Sequence, residues 1–390
     1  MDFLKMAKEI EREIIDIRRD MHKNPELDFD LFKTRDKIIS ILEEENIQYK
    51  IYAKTGIKAV IYGKGDKTVA LRTDMDALPI NEETGSDFSS NCCGKMHACG
   101  HDAHMAIALG ALKILNKLKD KLSGNVVFIF EPAEETTGGS KIMINEGVLE
   151  NPKVDSIFGL HVNENIDSGK IGYKRGVIMA ASNPFSIKIT GKGGHGAHPE
   201  AAIDPIVIAS HFISFVQTIV SREINPNSGA VVTIGMIQGG TAENIIPESV
   251  TIKGILRSLG NEDREYLKKR LEDILYGITS AGRASYDLEI YESYPCLYND
   301  DAQVDNMVTA AIDVIGEDNV IELKDPSLGV ESFAYFSQKI PSAFYFLGIR
   351  NIDKGIIYPA HNSRFDIDEE ALAIGAAVQS KIAYDYLKEI

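Results

Sequence analysis

The amino-acid sequence predicts an α/β fold: a domain with a mostly parallel sheet, interrupted by an inserted α+β domain of ferredoxin-like order. Before residue 183, short β-branched runs alternate with helical stretches, and the same alternation returns after residue 294. Between these positions the order of elements is β-α-β-β-α-β. Alternating strands and helices are typical of a parallel sheet covered on both faces, whereas the middle order is typical of helices on an antiparallel sheet.

The chain begins with a predicted amphipathic helix that Asn24-Pro25 ends. Its apolar residues recur at spacings of four, three and four, as one helix face requires: Ile10, Ile14, Ile17 and Met21. Four strand-like runs follow, in the order IKAVIYG, TVALRTD, NVVFIFEP and DSIFGLHV. A helix at about residues 104–118 separates the second run from the third.

The middle of the chain contains strand FSIKIT, helix AIDPIVIASHFISFVQTIV, strands AVVTIGMI and SVTIKGILR, helix EDREYLKKRLEDILYGIT and strand SYDLEIYE. After residue 300 come helix NMVTAAIDVIG, strand NVIEL, helix SFAYFSQ, strand SAFYFLGI and the final helix DEEALAIGAAVQSKIAYDYLKE. We therefore expect one domain from residues 1–182 and 295–390, and an inserted domain from residues 183–294. An insertion of this length can fold on its own.

Composition limits the partners that the protein can have. There are 42 basic and 58 acidic side chains, giving a formal charge of −16. The negative electrostatic field of such a protein repels phosphate backbones and anionic membranes, so we expect a small-molecule substrate rather than nucleic acid or lipid. The apolar runs VVFIF and AVVTIGMI are too short to span a bilayer, and the N-terminus lacks a secretion signal. Few cysteines and no disulfide framework indicate the cytoplasm.

Metal-capable side chains follow the predicted strands. Asp74 and Asp76 follow VALRT, Glu134 and Glu135 follow VVFIFEPA, and His161 ends SIFGLHV. His361 lies in the loop after SAFYFLGI, and the loop MHACGHDAH contains Cys99 and His101. Ligands of an open parallel sheet bind beyond the carboxyl ends of its strands, so these loops can converge on one crevice.

The types of these residues favour a metal centre. Thiolate and imidazole are good ligands for zinc and its neighbours, and Gly100 allows the backbone to fold Cys99 and His101 together. His97 and His104 are weaker candidates, and Asp102 could orient an imidazole. In the pair Glu134-Glu135, one carboxylate would hold metal and the other would take the proton from the attacking water. The alternatives to a metal centre are that the histidines of this loop only form hydrogen bonds within the protein, and that the two glutamates are exposed to solvent.

Eight motifs, among them RRDMHKNPELDFDLFKT, LRTDMDALPI, MHACGHDAHMA, EPAEET, GKGGHGAHPE and GGTAENIIPES, resemble those of the dinuclear metallo-amidohydrolases related to aminoacylase and glutamate carboxypeptidases. The branch that is most similar contains hippurate hydrolases, N-acetyldiaminopimelate deacetylases and plant auxin-conjugate hydrolases. The resemblance runs nearly end to end. It implies a metal-binding catalytic domain and an inserted lid that also forms a homodimer, or a tetramer.

The resemblance also implies roles for particular residues. It assigns two divalent metal ions to Cys99, His101, Glu135, His161 and His361. Glu134 would be the general base, and Asp74 would orient a ligand from behind. His195 would stabilise the oxyanion in a partner subunit's site. Asn244 and Arg257 would hold the substrate carboxylate, with Arg257 supplying the basic group that an acidic protein needs there. The alternatives for His195 and Arg257 are a turn histidine and a surface salt bridge.

One departure from the wider family lies at Arg72, where most relatives have a histidine ligand. His101 would replace that ligand, and Cys99 would stand in place of the usual bridging aspartate. A thiolate makes the site softer, so zinc is chemically favoured, with manganese, cobalt or nickel as alternatives.

The expected reaction is hydrolysis of the amide bond of N-acyl amino acids, with an acetyl, benzoyl or similar group. The first alternative is a dipeptidase or carboxypeptidase of the same fold. The second is a catalytically silent protein that binds a ligand in the cleft.

Overall fold

The computed structural model describes residues 1–388. The expected first domain extends to position 390 and the expected final helix to position 389, so the ends of both lie outside the described residues. The chain divides into two compact units. The first unit comprises Met1–Ile178, Tyr298–Asp325 and Ser332–Ile390, and the second comprises Met179–Leu297 and Pro326–Glu331. The sequence does not predict that the short segment Pro326–Glu331 belongs to the second unit.

The helices of the described residues are α1 Phe3–Glu9, α2 Glu11–Lys23, α3 Phe32–Glu44, α4 His101–Lys117, α5 Gly139–Asn145, α6 Pro205–Thr218, α7 Asn261–Ala281, α8 Asp301–Ile315, α9 Ala334–Ser337 and α10 Glu370–Tyr386. The strands are β1 Gln48–Tyr52, β2 Gly56–Ile61, β3 Thr68–Asp74, β4 Asn125–Glu131, β5 Ser156–Asp167, β6 Ile171–Tyr173, β7 Gly176–Met179, β8 Ala181–Thr190, β9 Gly194–His195, β10 Ala230–Gly239, β11 Ile245–Ile246, β12 Ser249–Ser258, β13 Ser285–Ile290, β14 Leu297–Asn299, β15 Val320–Glu322 and β16 Ser342–Arg350.

The sheet of the first unit has the strand order β1-β2-β4-β3-β5-β16-β6-β15. Its four central strands β4, β3, β5 and β16 are parallel to one another. Antiparallel pairs flank them on both sides. The expected α/β class with a mostly parallel sheet is confirmed. Because parallel strands share one carboxyl edge, the segments after β3, β4 and β16 leave the sheet on the same side.

Helix α4 is buried along most of its length, because it packs against α2, α10 and strand β3. Small residues make this close packing possible: a Cβ at Gly110 would lie 2.8 Å from Cδ1 of Ile14 and 3.1 Å from Cβ of Ala376. The start of α4 is therefore held in a fixed position relative to the sheet. The predicted N-terminal helix is divided at Ile10, which caps both α1 and α2.

The second unit is built on an antiparallel sheet of order β10-β12-β8-β13. Helices α6 and α7 pack together on this sheet, with Ile208, Phe212 and Val216 of α6 buried. The predicted order β-α-β-β-α-β is thus observed. The helical stretch Pro205–Glu223 is, by length and composition, apolar enough to cross a membrane, although the expectation from single apolar runs does not consider a whole helix. Core helices of soluble proteins have the same properties.

Candidate metal centre

Cys99 and His101 lie where a loop enters helix α4, with Gly100 between them. Gly100 has a left-handed φ of 86°. A Cβ at this position would lie 2.4 Å from Cγ2 of Val162. Both facts require glycine, so the turn that brings the two donors together depends on this residue.

His361 lies beside this turn. Its own φ is 65°, and its backbone N–H donates a hydrogen bond of 2.7 Å to the carbonyl of Ala98. The side chain is 53% exposed, whereas His101 is fully buried. One side of the donor cluster is therefore open to solvent, as access for a substrate requires.

The donor atoms of the five predicted ligands lie close together. The donors of Cys99, His101 and His161 lie within 4.8 Å of one another, as do those of Cys99, Glu135 and His361. Oε1 of Glu135 is 3.4 Å from Nε2 of His361 and 3.7 Å from Nε2 of His101. Sγ of Cys99 is 3.4 Å from Nε2 of His161. We call these five residues the donor cluster.

The hydrogen bonds around the donor cluster suit metal ligation. Nδ1 of His161 lies 2.7 Å from the carbonyl of Val162, so it is the protonated nitrogen and Nε2 presents its lone pair to Cys99. A ligating histidine ordinarily donates its second ring N–H in this way. Both ring nitrogens of His101 and Oε1 of Glu135 are buried and make no hydrogen bond within residues 1–388. Buried polar atoms are normally satisfied, so these residues fit a divalent cation.

The pKa shifts of His101 and Cys99 are consistent with a site for a divalent cation. Burial disfavours the charged form of His101, but the carboxylates of Asp74 and Asp76 outweigh it and raise its pKa well above the ordinary value. Burial, followed by the charge of Glu135, raises the pKa of the Cys99 thiol. A bound cation would supply the positive charge that favours the thiolate and the neutral imidazole.

Asp74, predicted to orient a ligand, makes its closest contact with His104. Oδ1 of Asp74 is 2.6 Å from Nδ1 of His104, and 3.8 Å from Nδ1 of His101. The N–H of Val162 donates to Nε2 of His104, which places the ring proton on Nδ1. Burial lowers the pKa of His104 to about 4, so the ring is neutral at pH 7. His104 thus ties Asp74 to strand β5, which carries His161.

Asp76 supports the cluster more directly, although the sequence gives it no distinct role. Its two carboxylate oxygens accept the backbone N–H groups of Glu134 and Glu135, at 2.9 and 3.1 Å. Its Oδ1 is also 3.5 Å from Nδ1 of His101. The turn that precedes the two glutamates has a φ of 58° at Ala133, and Asp76 holds this turn in place.

Glu134 and Glu135 have different surroundings. Glu135 faces the imidazoles of His101 and His361, whereas Oε1 of Glu134 accepts a hydrogen bond of 3.0 Å from the backbone N–H of Ser332. The donors of His101, Glu134 and Glu135 also lie within 4.8 Å of one another. Glu134 therefore lies beside the cluster and is hydrogen-bonded to Ser332, in the segment that precedes α9.

Asp102, expected to orient an imidazole of the site, contacts a different histidine. Its Oδ2 accepts from Nε of Arg18 and lies 2.8 Å from Nδ1 of His22. Burial disfavours the charged form of His22, but Asp102 and Glu82 outweigh it and raise its pKa to about 9. Arg18 and His22 lie four residues apart on α2, and a polar pair on its buried face was the available signal in the sequence.

The second unit contains the other predicted residues. His195 in β9 and Asn244 are exposed and line one open cavity of about 770 Å³. The N–H of Gly196 donates to the carbonyl of Asn244, which holds the two loops together. Arg257 in β12 is half-buried, does not line that cavity, and its Nη1 donates to the carbonyl of Leu328.

Residues 70–385 match the model of peptidase family M20/M25/M40. The chain is 38% identical over 382 residues to IAA-amino acid hydrolase ILR1-like 4 of Arabidopsis thaliana, covering 97% of this chain and 86% of that protein. It is 38% identical over 386 residues to thermostable carboxypeptidase 2 of Saccharolobus solfataricus, covering 97% of each. A solved structure, the YXEP protein of Bacillus subtilis, described as a dinuclear metal binding peptidase from the M20 family, superposes with a TM-score of 0.86 at 34% identity, covering 98% of this chain and 99% of that one.

The family match covers most of the chain, and both relatives align over nearly its whole length. The predicted family resemblance and the predicted enzyme class are confirmed. Together with donors that fit divalent cations, these similarities show that the chain is a metal-dependent hydrolase belonging to peptidase family M20/M25/M40.

Proposed function

We propose that the enzyme hydrolyses the amide bond of N-acyl amino acids and releases a carboxylic acid and a free amino acid. The observation that carries the proposal is the difference between two adjacent carboxylates. Glu135 points its unsatisfied Oε1 at two imidazoles, whereas Oε1 of Glu134 is held by the N–H of Ser332. One glutamate is thus arranged as a ligand and its neighbour as a proton acceptor.

We assign two divalent ions, zinc or manganese, with cobalt or nickel as alternatives, to the donor cluster. When bound, such ions polarise the scissile carbonyl and lower the pKa of the attacking water. Glu134 takes the proton of that water and delivers it to the departing amine nitrogen. Its carboxylate is buried and hydrogen-bonded to Ser332, so little reorganisation is needed during the transfer.

The roles of the residues in the second unit rest on the resemblance to the family. We assign His195 to the oxyanion in a partner subunit's site, which requires a dimer. Arg257 and Asn244 are assigned to the substrate carboxylate. Arg257 would offer the guanidinium nitrogens that Leu328 does not occupy, and its fork matches carboxylate geometry. A cytoplasmic location stays a prediction.

A peptidase activity is the second candidate, because one relative is named a carboxypeptidase. The two are separated by incubating the purified, metal-loaded enzyme with acetyl-, benzoyl- and succinyl-amino acids and with dipeptides. We expect release of the acyl acid, and loss of this release in Glu134→Gln. Cleavage of dipeptides alone would favour the peptidase, and equal activity in Glu134→Gln would refute the role of Glu134.

A further inference from the structure

Behind the donor cluster lies a buried group of charges that the proposed reaction does not use. Arg72 is buried, and its guanidinium donates from Nε to Glu131 at 2.7 Å, from Nη1 to Asp74 at 2.9 Å, and from Nη2 to Oγ of Ser332 at 2.8 Å. The side chains of Arg72, Glu131 and Asp74 are completely inaccessible to solvent. We call Arg72, Glu131 and Ser332 the Arg72 network.

Ser332 is the point where this network reaches the site. Its Oγ donates to Oε1 of Glu131 at 2.6 Å while accepting from Arg72, and its carbonyl accepts from Oγ of Ser140 at 2.9 Å. Its remaining backbone group, the N–H, donates to Oε1 of Glu134. Side chain, carbonyl and N–H of one residue are therefore all committed, which fixes the direction of the N–H.

Glu131 is held as firmly as Ser332. Besides the serine hydroxyl, Oε1 accepts the N–H of Ser140 at 2.6 Å, and Oε2 accepts from Arg72. Residues in contact within a buried, fully paired network are strongly coupled, and loss of one partner shifts the others. A displacement of Arg72 or Glu131 would therefore be transmitted to the N–H of Ser332.

We infer that the Arg72 network consists of positioning residues for Glu134: it aims the N–H of Ser332 at Oε1 and so fixes the orientation of the proton-accepting carboxylate. Arg72 acts here without binding metal or substrate. The inference rests on the proposed role of Glu134 as general base. It explains why a guanidinium is useful at position 72, because its three separate nitrogens donate to Glu131, Asp74 and Ser332 at the same time.

The test is Ser332→Ala, which removes the hydroxyl that locks this residue but keeps the N–H. We expect kcat to fall about 10- to 100-fold, while KM and the metal content per chain stay at the wild-type values. The matched control is Ser337→Ala. Its hydroxyl lies in the neighbouring helix α9 and donates to the carbonyl of Ala334, so kcat should not change.

Two further variants keep the test decisive. Arg72→Lys retains the buried positive charge but loses the planar guanidinium group, and it should lower kcat in the same way as Ser332→Ala. Arg72→Met is avoided, because it would leave the buried carboxylates of Glu131 and Asp74 without their arginine partner and so destabilise the fold. In a Glu134→Gln background, Ser332→Ala should cause no further loss, because no base remains to be positioned. A purely structural role would lower the residual rate again.

The inference is overturned if kcat of Ser332→Ala equals that of Ser337→Ala, or if Ser332→Ala lowers the rate by the same factor with and without Glu134. Those outcomes leave the proposed function intact when Glu134→Gln alone is inactive and still binds metal. If Glu134→Gln alone keeps wild-type activity, the proposed role of Glu134 as the proton acceptor is wrong, and the inference about the Arg72 network fails with it.

Discussion

The two units present their predicted functional residues in different ways. In the first unit, the donor atoms of the five predicted ligands form two groups of three that share Cys99, and within each group they lie within 4.8 Å of one another. The buried atoms of His101 and Glu135 have no hydrogen-bond partner within residues 1–388. In the second unit, His195 and Asn244 are exposed, and Arg257 already binds the carbonyl of Leu328. The donors that fit divalent cations are thus already clustered in the first unit, whereas the residues of the second unit for which roles are proposed are exposed or hydrogen-bonded to the backbone.

The largest expected effect concerns the donor cluster. Removal of divalent ions by a chelator should reduce hydrolysis to the background rate and lower the melting temperature, because the clustered acids and imidazoles lose a ligand that stabilises only the folded state. Hydrolysis of an acyl-amino acid and thermal unfolding should be measured before and after zinc or manganese is added back. Full activity of a metal-free protein, verified by elemental analysis, would contradict a metal centre in the first unit.

The role of His195 can be tested by mixing inactive chains. His195→Ala should lower kcat about 100- to 1,000-fold, the usual effect of losing an oxyanion donor. If His195 serves a partner subunit's site, an equal mixture of His195→Ala and Glu134→Gln chains should recover about one quarter of wild-type activity. This holds because half of randomly mixed dimers are heterodimers with one intact site each. If mass spectrometry shows heterodimers and activity does not recover, His195 does not act across subunits.

Arg257 should affect substrate affinity more than turnover. Arg257→Gln removes a charge-assisted hydrogen bond to the substrate carboxylate, so KM should rise about 10- to 100-fold with a smaller change in kcat. Lys253→Gln is the matched control, because this exposed cation lies in the same strand, β12. An amidated substrate, which lacks the carboxylate, should be hydrolysed equally by wild type and Arg257→Gln. Equal KM values for the two variants would remove Arg257 from the substrate site.

The smallest expected effect is the contribution of the buried His22 to the free energy of unfolding. Its pKa is raised to about 9 despite burial, because Asp102 and Glu82 favour the charged form. A raised pKa stabilises the folded state fully below the ordinary value of 6.5, and this stabilisation is lost as the pH rises through about 9. The loss amounts to at most about 3 kcal/mol, the free-energy equivalent of that shift.

Urea unfolding between pH 6 and pH 10 checks this prediction. The free energy of unfolding should fall more steeply with pH for the wild type than for His22→Asn. The control is His198→Asn, at an exposed histidine, and it should follow the wild type. Identical slopes for His22→Asn and the wild type would show that His22 is not charged in the folded protein.

The sequence predicts which residues lie near the carboxyl edge of the sheet better than it predicts the contacts that these residues make. Runs such as TVALRTD and NVVFIFE are buried throughout, so their short length and β-branched composition identify the strands. The polar residues at their carboxyl ends then lie at one edge of the sheet. Strand β5, however, continues to Asp167, so His161 lies within it rather than at its end. Pairing with β16 extends this strand, and pairing is a long-range property that a local pattern does not contain.

The partners of buried carboxylates were equally inaccessible to sequence reasoning. Asp74 and Asp76 are two residues apart, yet one binds His104 and Arg72 and the other binds the backbone of the glutamate pair. Ser332 follows a segment of the second unit and carries no motif of its own. Its contact with Glu134 joins positions 198 residues apart, and only the fold brings them together.

The most direct test of the metal centre is the number of divalent ions per chain, measured by elemental analysis of purified protein after dialysis. The wild type and Glu134→Gln should each bind two ions, because Oε1 of Glu134 accepts the N–H of Ser332 and we assign Glu134 as proton acceptor rather than ligand. Glu135→Gln should bind fewer, since it loses the carboxylate oxygen that faces His101 and His361. Equal losses in both variants, or full metal content in Glu135→Gln, would contradict the division of these two glutamates into proton acceptor and ligand.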